Sequence, residues 1–197
     1  MHTAHRLVLA LVILGTAAAF TGQADPLKDA ATLARTHDDA LFESFNRSYN
    51  LAASELIDRA EIVTEFRRAV LIARDHVLQG DYQFGGDALA KKLLPFKGLV
   101  TFIVQVRLHP HHAFSKEPAY DLYIGTGPRS APIASTGVKR QPVYPQGGGF
   151  GSPMIGVRLE ASFPRAEFTR SAMPQLIVTD DKAEILWQTR LDLSRYR

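Results

Sequence analysis

From Leu99 onward the chain alternates apolar and polar residues with a period of two, and this pattern restricts the fold more than any other feature. In Leu99 to Leu108, Val100, Phe102, Val104, Val106 and Leu108 alternate with Thr101, Ile103, Gln105 and Arg107. Successive side chains of a strand point to opposite faces, so this segment is a strand with one well-buried face. The pattern recurs. Tyr120, Leu122 and Ile124 alternate with Asp121 and Tyr123, and Ile155, Val157, Leu159, Ala161 and Phe163 alternate with Gly156, Arg158, Glu160 and Ser162. Gln175 to Thr179 and Glu184 to Leu193 flank Asp180-Asp181-Lys182-Ala183 as a hairpin. Within it Ile185, Trp187, Thr189, Leu191 and Leu193 share one face, which makes Trp187 a core anchor. Strands joined by turns rather than helices predict a mainly antiparallel β-sandwich or open barrel over 96–197, and an immunoglobulin-like arrangement is one architecture compatible with that pattern.

Residues 25–95 carry a helical period instead. Asp25-Pro26 is a helix opening, an acceptor side chain followed by proline at a position where no amide donor is missed. Leu27, Leu33, Ala34, His37, Leu41, Phe45 and Tyr49 then recur at three- and four-residue steps until Asn46 to Asn50 breaks the pattern. Leu56, Val63, Val70 and Val77 are spaced by seven, with Ala60, Phe66 and Ala73 between them, which predicts one amphipathic helix from Leu56 to Val77 ended by Gly80. Such a helix has about six turns. Glu61, Glu65, Arg67, Arg68, Arg74 and Asp75 are expected on its solvated face. A coiled-coil seam is the competing reading, but Ile62 and Leu71 broaden the stripe and favour packing on the protein's own sheet. Gly80 to Pro95 reads as a connector with a helical turn from Asp87 to Leu94. The fold class expected is therefore α+β, an N-terminal helical segment packed on a β-sandwich around one core.

The first twenty-four residues bear on location. Arg6 precedes an apolar and small-residue run, Leu7 to Phe20, and Gly22-Gln23-Ala24 supplies the small residues read by a signal peptidase. Residues 1–24 are thus expected to be a signal peptide cleaved after Ala24. The run is about fourteen residues against the roughly 20 that span a bilayer, and no later run reaches that length, so no transmembrane span is expected in the mature chain. The chain has no cysteine, hence neither disulfides nor a lipidated cysteine. Of 23 Lys and Arg residues one, Arg6, leaves with the signal, and 22 against 20 Asp and Glu is too even a balance for a nucleic-acid binder. A periplasmic or secreted protein is expected.

Candidate chemistry is sparse. His109 and His111, flanking Pro110, point the same way in an extended chain, and two neutral imidazoles so placed suit Cu(II), Ni(II) or Zn(II). A site needs further ligands, with His112, Asp121 or a glutamate as candidates, and no spacing nominates one. Solvated loop histidines are the favoured reading, and no metal ligand is assigned. Gln146 to Pro153 is glycine-rich, yet Pro142, Tyr144 and Pro145 precede it and a strand follows, which is the wrong context for a phosphate cradle. Phe150 at its centre suits a partner contact or a packed plug. Ser152 lacks the Gly-x-Ser-x-Gly elbow. Asp180 and Asp181 occupy a hairpin turn where aspartate is favoured locally, and Glu160 lies on an outward strand face where cross-strand charge pairing accounts for it. With no catalytic residue, cofactor or metal assigned, the expected function is an exported, non-catalytic binding, assembly or structural module of the cell envelope, meeting another envelope protein or an extracellular ligand. The alternative is a periplasmic hydrolase or a metal-binding protein using His109, His111 and His112.

Overall fold

The computed structural model describes residues 25–108, 117–127, 131–133, 135–147, 151–168 and 174–196. Residues 1–24, expected to be a signal peptide, lie outside them, as do His109, His111, His112 and Phe150. Helix α1 (Pro26–Ala34) starts where the sequence places it, with the Asp25 carboxylate accepting from the Leu27 and Lys28 N–H groups. A break at 35–38, unmarked in the apolar spacing, separates it from α2 (Asp39–Arg47). There Thr36 Oγ1 accepts from Asp38 N–H and the Asp38 carboxylate accepts from Leu41 N–H, local bonds that compete with a continuous helix.

The single helix expected from Leu56 to Val77 is two elements. Its first half is a strand, β1 (Ile57–Val63), and its second is α3 (Glu65–Leu78), joined only by Thr64, whose hydroxyl accepts from Arg67 N–H as the helix cap. Ala60, Glu61, Ile62 and Val63 are buried in succession because the sandwich covers one face of β1 and α3 the other. A strand covered on both faces loses its period of two, and here a fortuitous heptad took its place. Gly80 does end α3, at φ +87°. The connector holds α4 (Gly86–Leu93), opened by Gly85 without a side-chain cap, and a 3₁₀ turn at Leu94–Phe96.

The remaining strands are β2 (Leu99–Arg107), β3 (Asp121–Gly125), β4 (Val138–Val143), β5 (Gly156–Pro164), β6 (Gln175–Thr179) and β7 (Ile185–Arg190), with a one-turn helix α5 (Arg165–Phe168) after β5. They form two antiparallel sheets in the orders β1-β2-β5-β4 and β3-β6-β7. The fold is α+β. In the central ladder Val100 faces Phe163, Phe102 faces Ala161, Val104 faces Leu159 and Val106 faces Val157, and these meet Leu122, Ile124, Leu176, Val178 and Trp187 of the other sheet in one buried cluster. Trp187 is a core residue, as its alternation requires. Ile185, on the same expected face, is 55% exposed beside a register irregularity where Thr179 pairs with it.

One core was expected, and two clusters are present. Ala30, Ala34, Ala69, Val70, Ala73, Leu89 and Leu93 pack α1, α3 and α4 together, apart from the sandwich core, and Phe45 of α2 packs against both. Strand β4 has no counterpart in the expected pattern. Lys139, Arg140, Gln141 and Pro142 are exposed on the edge of the described sheet, where proline and charge are tolerated because no described strand pairs on the outer side.

Candidate functional site

Glu61 and Arg67, expected in solvent, are only 6% and 2% exposed. Arg67 lies three residues after Thr64 and three before Val70, on the face of α3 turned to β1. Its Nη2 reaches Glu61 Oε2 at 2.6 Å, its Nη1 donates to the Ile62 carbonyl at 2.7 Å, and its guanidinium carbon is 5.1 Å from the centre of the Tyr49 ring. Arg59 also reaches Glu61, at 3.1 Å. Arg67 is turned entirely inward, and its Nε has no partner among the described residues. This network ties α3 to β1; it does not face a ligand. Arg74 likewise turns inward, donating to the carbonyls of Ala34 and Thr36 and closing the end of α1.

The residue that follows Arg67 in α3 behaves differently. Arg68 points along the outer face of the four-stranded sheet, its Nη2 donating to Thr101 Oγ1 at 2.7 Å and its guanidinium carbon 4.0 Å from the centre of the Phe96 ring. Thr101 pairs with Ser162 across β2 and β5, and their hydroxyls are 2.8 Å apart. Burial lowers the pKa of the Arg68 guanidinium, and the Glu160 carboxylate offsets part of that. Beside this chain of contacts opens a cleft of about 320 Å³ lined by Phe96, Leu99, Thr136, Lys139, Glu160 and Ser162 among others. Lys139 and Glu160 sit opposite in the β4–β5 register. Among the described residues Arg68, Lys139 and Glu160 close no ion pair with one another.

A larger groove, about 420 Å³, lies where α1 meets α3 and is lined by Pro26, Leu27, Phe66 and Ala69, with Glu65 and Arg165 at its rim. It offers apolar contact and little direction. A binding site needs a few convergent polar groups over an apolar wall, and the cleft over β2 and β5 has them.

Of the residues singled out from the sequence that the structure describes, Glu160 borders the cleft and the aspartates of the β6–β7 turn do not. Asp180 Oδ1 accepts from the N–H groups of Lys182 and Glu184, so it builds the β6–β7 turn. The glycine-rich segment, of which 148–150 lie outside the described residues, falls in sequence between β4 and β5, so a strand precedes it where none was expected and a strand follows it. Glu160 does face a charge across the ladder, and it is the one sequence-flagged carboxylate that borders the cleft. Among the described residues no three His, Cys, Asp or Glu side chains gather into a set able to hold a metal ion. Arg68, Lys139, Thr101 and Ser162 were not marked in advance. Thr101 and Ser162 were legible as polar positions of their strands, but their pairing depends on the β2–β5 register, and β4 itself was missed.

The fold and the cleft define an α+β protein with a half-buried arginine anchored on the outer face of its larger sheet. No known protein family matches the chain, and neither a curated protein nor a solved structure shows significant similarity to it.

Proposed function

We propose that the protein is an exported, non-catalytic binding or assembly module of the cell envelope, and that it meets another envelope protein or an extracellular ligand at the cleft over Glu160 and Ser162. The observation that carries this reading is Arg68, beside the cleft, fixed by Phe96 and Thr101 with only its Nη2 donating among the described residues. A guanidinium held in place by a hydroxyl and a ring, with the Glu160 carboxylate near enough to act on it but not in ion-pair contact, is preorganised for recognition. Ser162, whose hydroxyl is linked to Arg68 through that of Thr101, is bonded to no base within the described residues, which suits binding better than nucleophilic catalysis. Export rests on Arg6, the Leu7 to Phe20 run and the small residues before Asp25.

The test is a pulldown from envelope extract with the protein recovered from its own cells. A mature chain starting at Asp25 by mass spectrometry is expected, together with a bound species lost in Arg68→Gln and Lys139→Glu variants that keep the wild-type melting temperature. Retention of Leu7 to Phe20 in the mature mass removes the export reading. Micromolar Cu(II) or Zn(II) that raises the melting temperature, an effect abolished by alanine at His109, His111 and His112, replaces it with the metal-binding alternative. A metal at 100 times its dissociation constant stabilises by about 2.7 kcal/mol.

A further inference from the structure

The charges around the cleft are mixed in sign, and among the described residues Arg68, Lys139 and Glu160 close no ion pair with one another, although the Glu160 carboxylate acts on the Arg68 guanidinium from a distance. Lys139 and Glu160 project from adjacent strands at one register position, while Arg68 stands behind Thr101 and the Phe96 ring. Side chains directly opposite in an antiparallel ladder start about 5 Å apart, so a cationic and an anionic head border the same small space. The hydroxyls of Ser162 and Thr136 lie beside them, and Pro95, Phe96, Leu99 and Val138 supply the apolar wall. A polyanion is disfavoured by Glu160, and a simple cation by Lys139 and Arg68. What satisfies both signs at once is a ligand that carries both.

We propose that the cleft binds a small zwitterion with an apolar side chain, of the free amino-acid class. Its carboxylate is received by the Lys139 ammonium and the Ser162 hydroxyl within the positive field of Arg68, its ammonium by the Glu160 carboxylate, and its side chain by Phe96 and Leu99. The volume of about 320 Å³ lies at the lower end of small-molecule pockets, which run from about 300 to 1,000 Å³, and it matches a ligand of this size better than a folded partner. This rests on the cleft being the recognition surface proposed above.

Titration calorimetry of the chain purified from exporting cells tests it, with leucine, N-acetylleucine and leucinamide as probes. Leucine is expected to bind saturably, with each singly charged probe weaker by roughly tenfold or more, the worth of one lost charge-assisted contact. Glu160→Gln is expected to erase the preference for leucine over N-acetylleucine, and Lys139→Gln the preference over leucinamide; both side chains are at the rim of the cleft, so the fold should persist. Leucine that fails to bind at millimolar concentration, N-acetylleucine that binds as well as leucine, or variants that leave the preferences unchanged overturn the proposal. If partner capture still depends on Arg68 while leucine fails, the zwitterion falls and the binding module stands; if both fail, the cleft is not the site.

Discussion

Arg67 is among the largest fully buried side chains of the described structure, and its partner Glu61 is nearly as enclosed. A buried ion pair returns little net stability, but removing one partner strands the other charge at a cost of about 3–5 kcal/mol. Arg67→Met is therefore expected to lower the urea unfolding free energy by about 3 kcal/mol, the lower end because Arg59 still reaches Glu61. The double variant Arg67→Met with Glu61→Leu should recover most of that loss. A double variant as unstable as the single one would show that the hydrogen bond to the Ile62 carbonyl and the Tyr49 contact dominate instead. Tyr120 provides a second test at this scale. Its pKa is raised by burial and then by the carboxylates of Asp180 and Asp181. The folded chain thus keeps the phenolic proton where the unfolded chain gives it up. The stability this contributes is complete below the ordinary tyrosine value of about 10 and is lost as pH rises through the higher folded value. Tyr120→Phe should flatten the alkaline fall in melting temperature relative to wild type, and an unchanged slope would refute it.

At the scale of elements, Val70 sits at the centre of α3 and is fully buried among Ala30, Ala34, Ala73 and Leu89. Val70→Asp places an unpaired carboxylate there, at a cost of several kcal/mol, and circular dichroism should record loss of helix before loss of sheet. Helix α3, the capped start of α1 and four of the seven described strands were legible because each exposes one face more than the other, so the period of its residues reports its geometry; β6, buried in succession from Leu176 to Thr179, was legible as a short apolar run ending at the Asp180 turn. The two missed strands lack that asymmetry for opposite reasons. Strand β1 is covered on both sides, by the sandwich and by α3, so Glu61 and Val63 are buried alongside Ala60 and Ile62. Strand β4 is open along most of its length, and its Lys-Arg-Gln-Pro stretch reads as a loop. The cleft inherits this blindness. Its Lys139 comes from the strand that was missed, and the Arg68 beside it from a helix face that was read as solvent.

Among the described residues of the whole molecule, Phe45 packs against both hydrophobic clusters. Phe45 touches Tyr49 on the sandwich side at 5.1 Å and Phe66 on the helical side at 6.2 Å, ring centre to ring centre. Phe45→Ala is expected to cost up to about 3 kcal/mol, less than for a fully enclosed phenylalanine, and to release the helices before the sheets. Hydrogen exchange should show amides of α1, α3 and α4 losing protection while those of β2 and β5 keep it; uniform loss would mean the clusters unfold as one. The ladder between β2 and β5 has a further consequence, in time rather than in energy. Leu99 meets Pro164 and Val106 meets Val157, so the central pair of the larger sheet cannot zip until β3, β4 and their connections have been looped out. Closing such a loop costs entropy before any ladder contact forms, which places folding of this kind in the millisecond-to-second range, whereas an isolated helix equilibrates within about a microsecond. A newly made chain therefore spends most of its folding time with helices forming and dissolving beside an unclosed centre, and it remains threadable for that long.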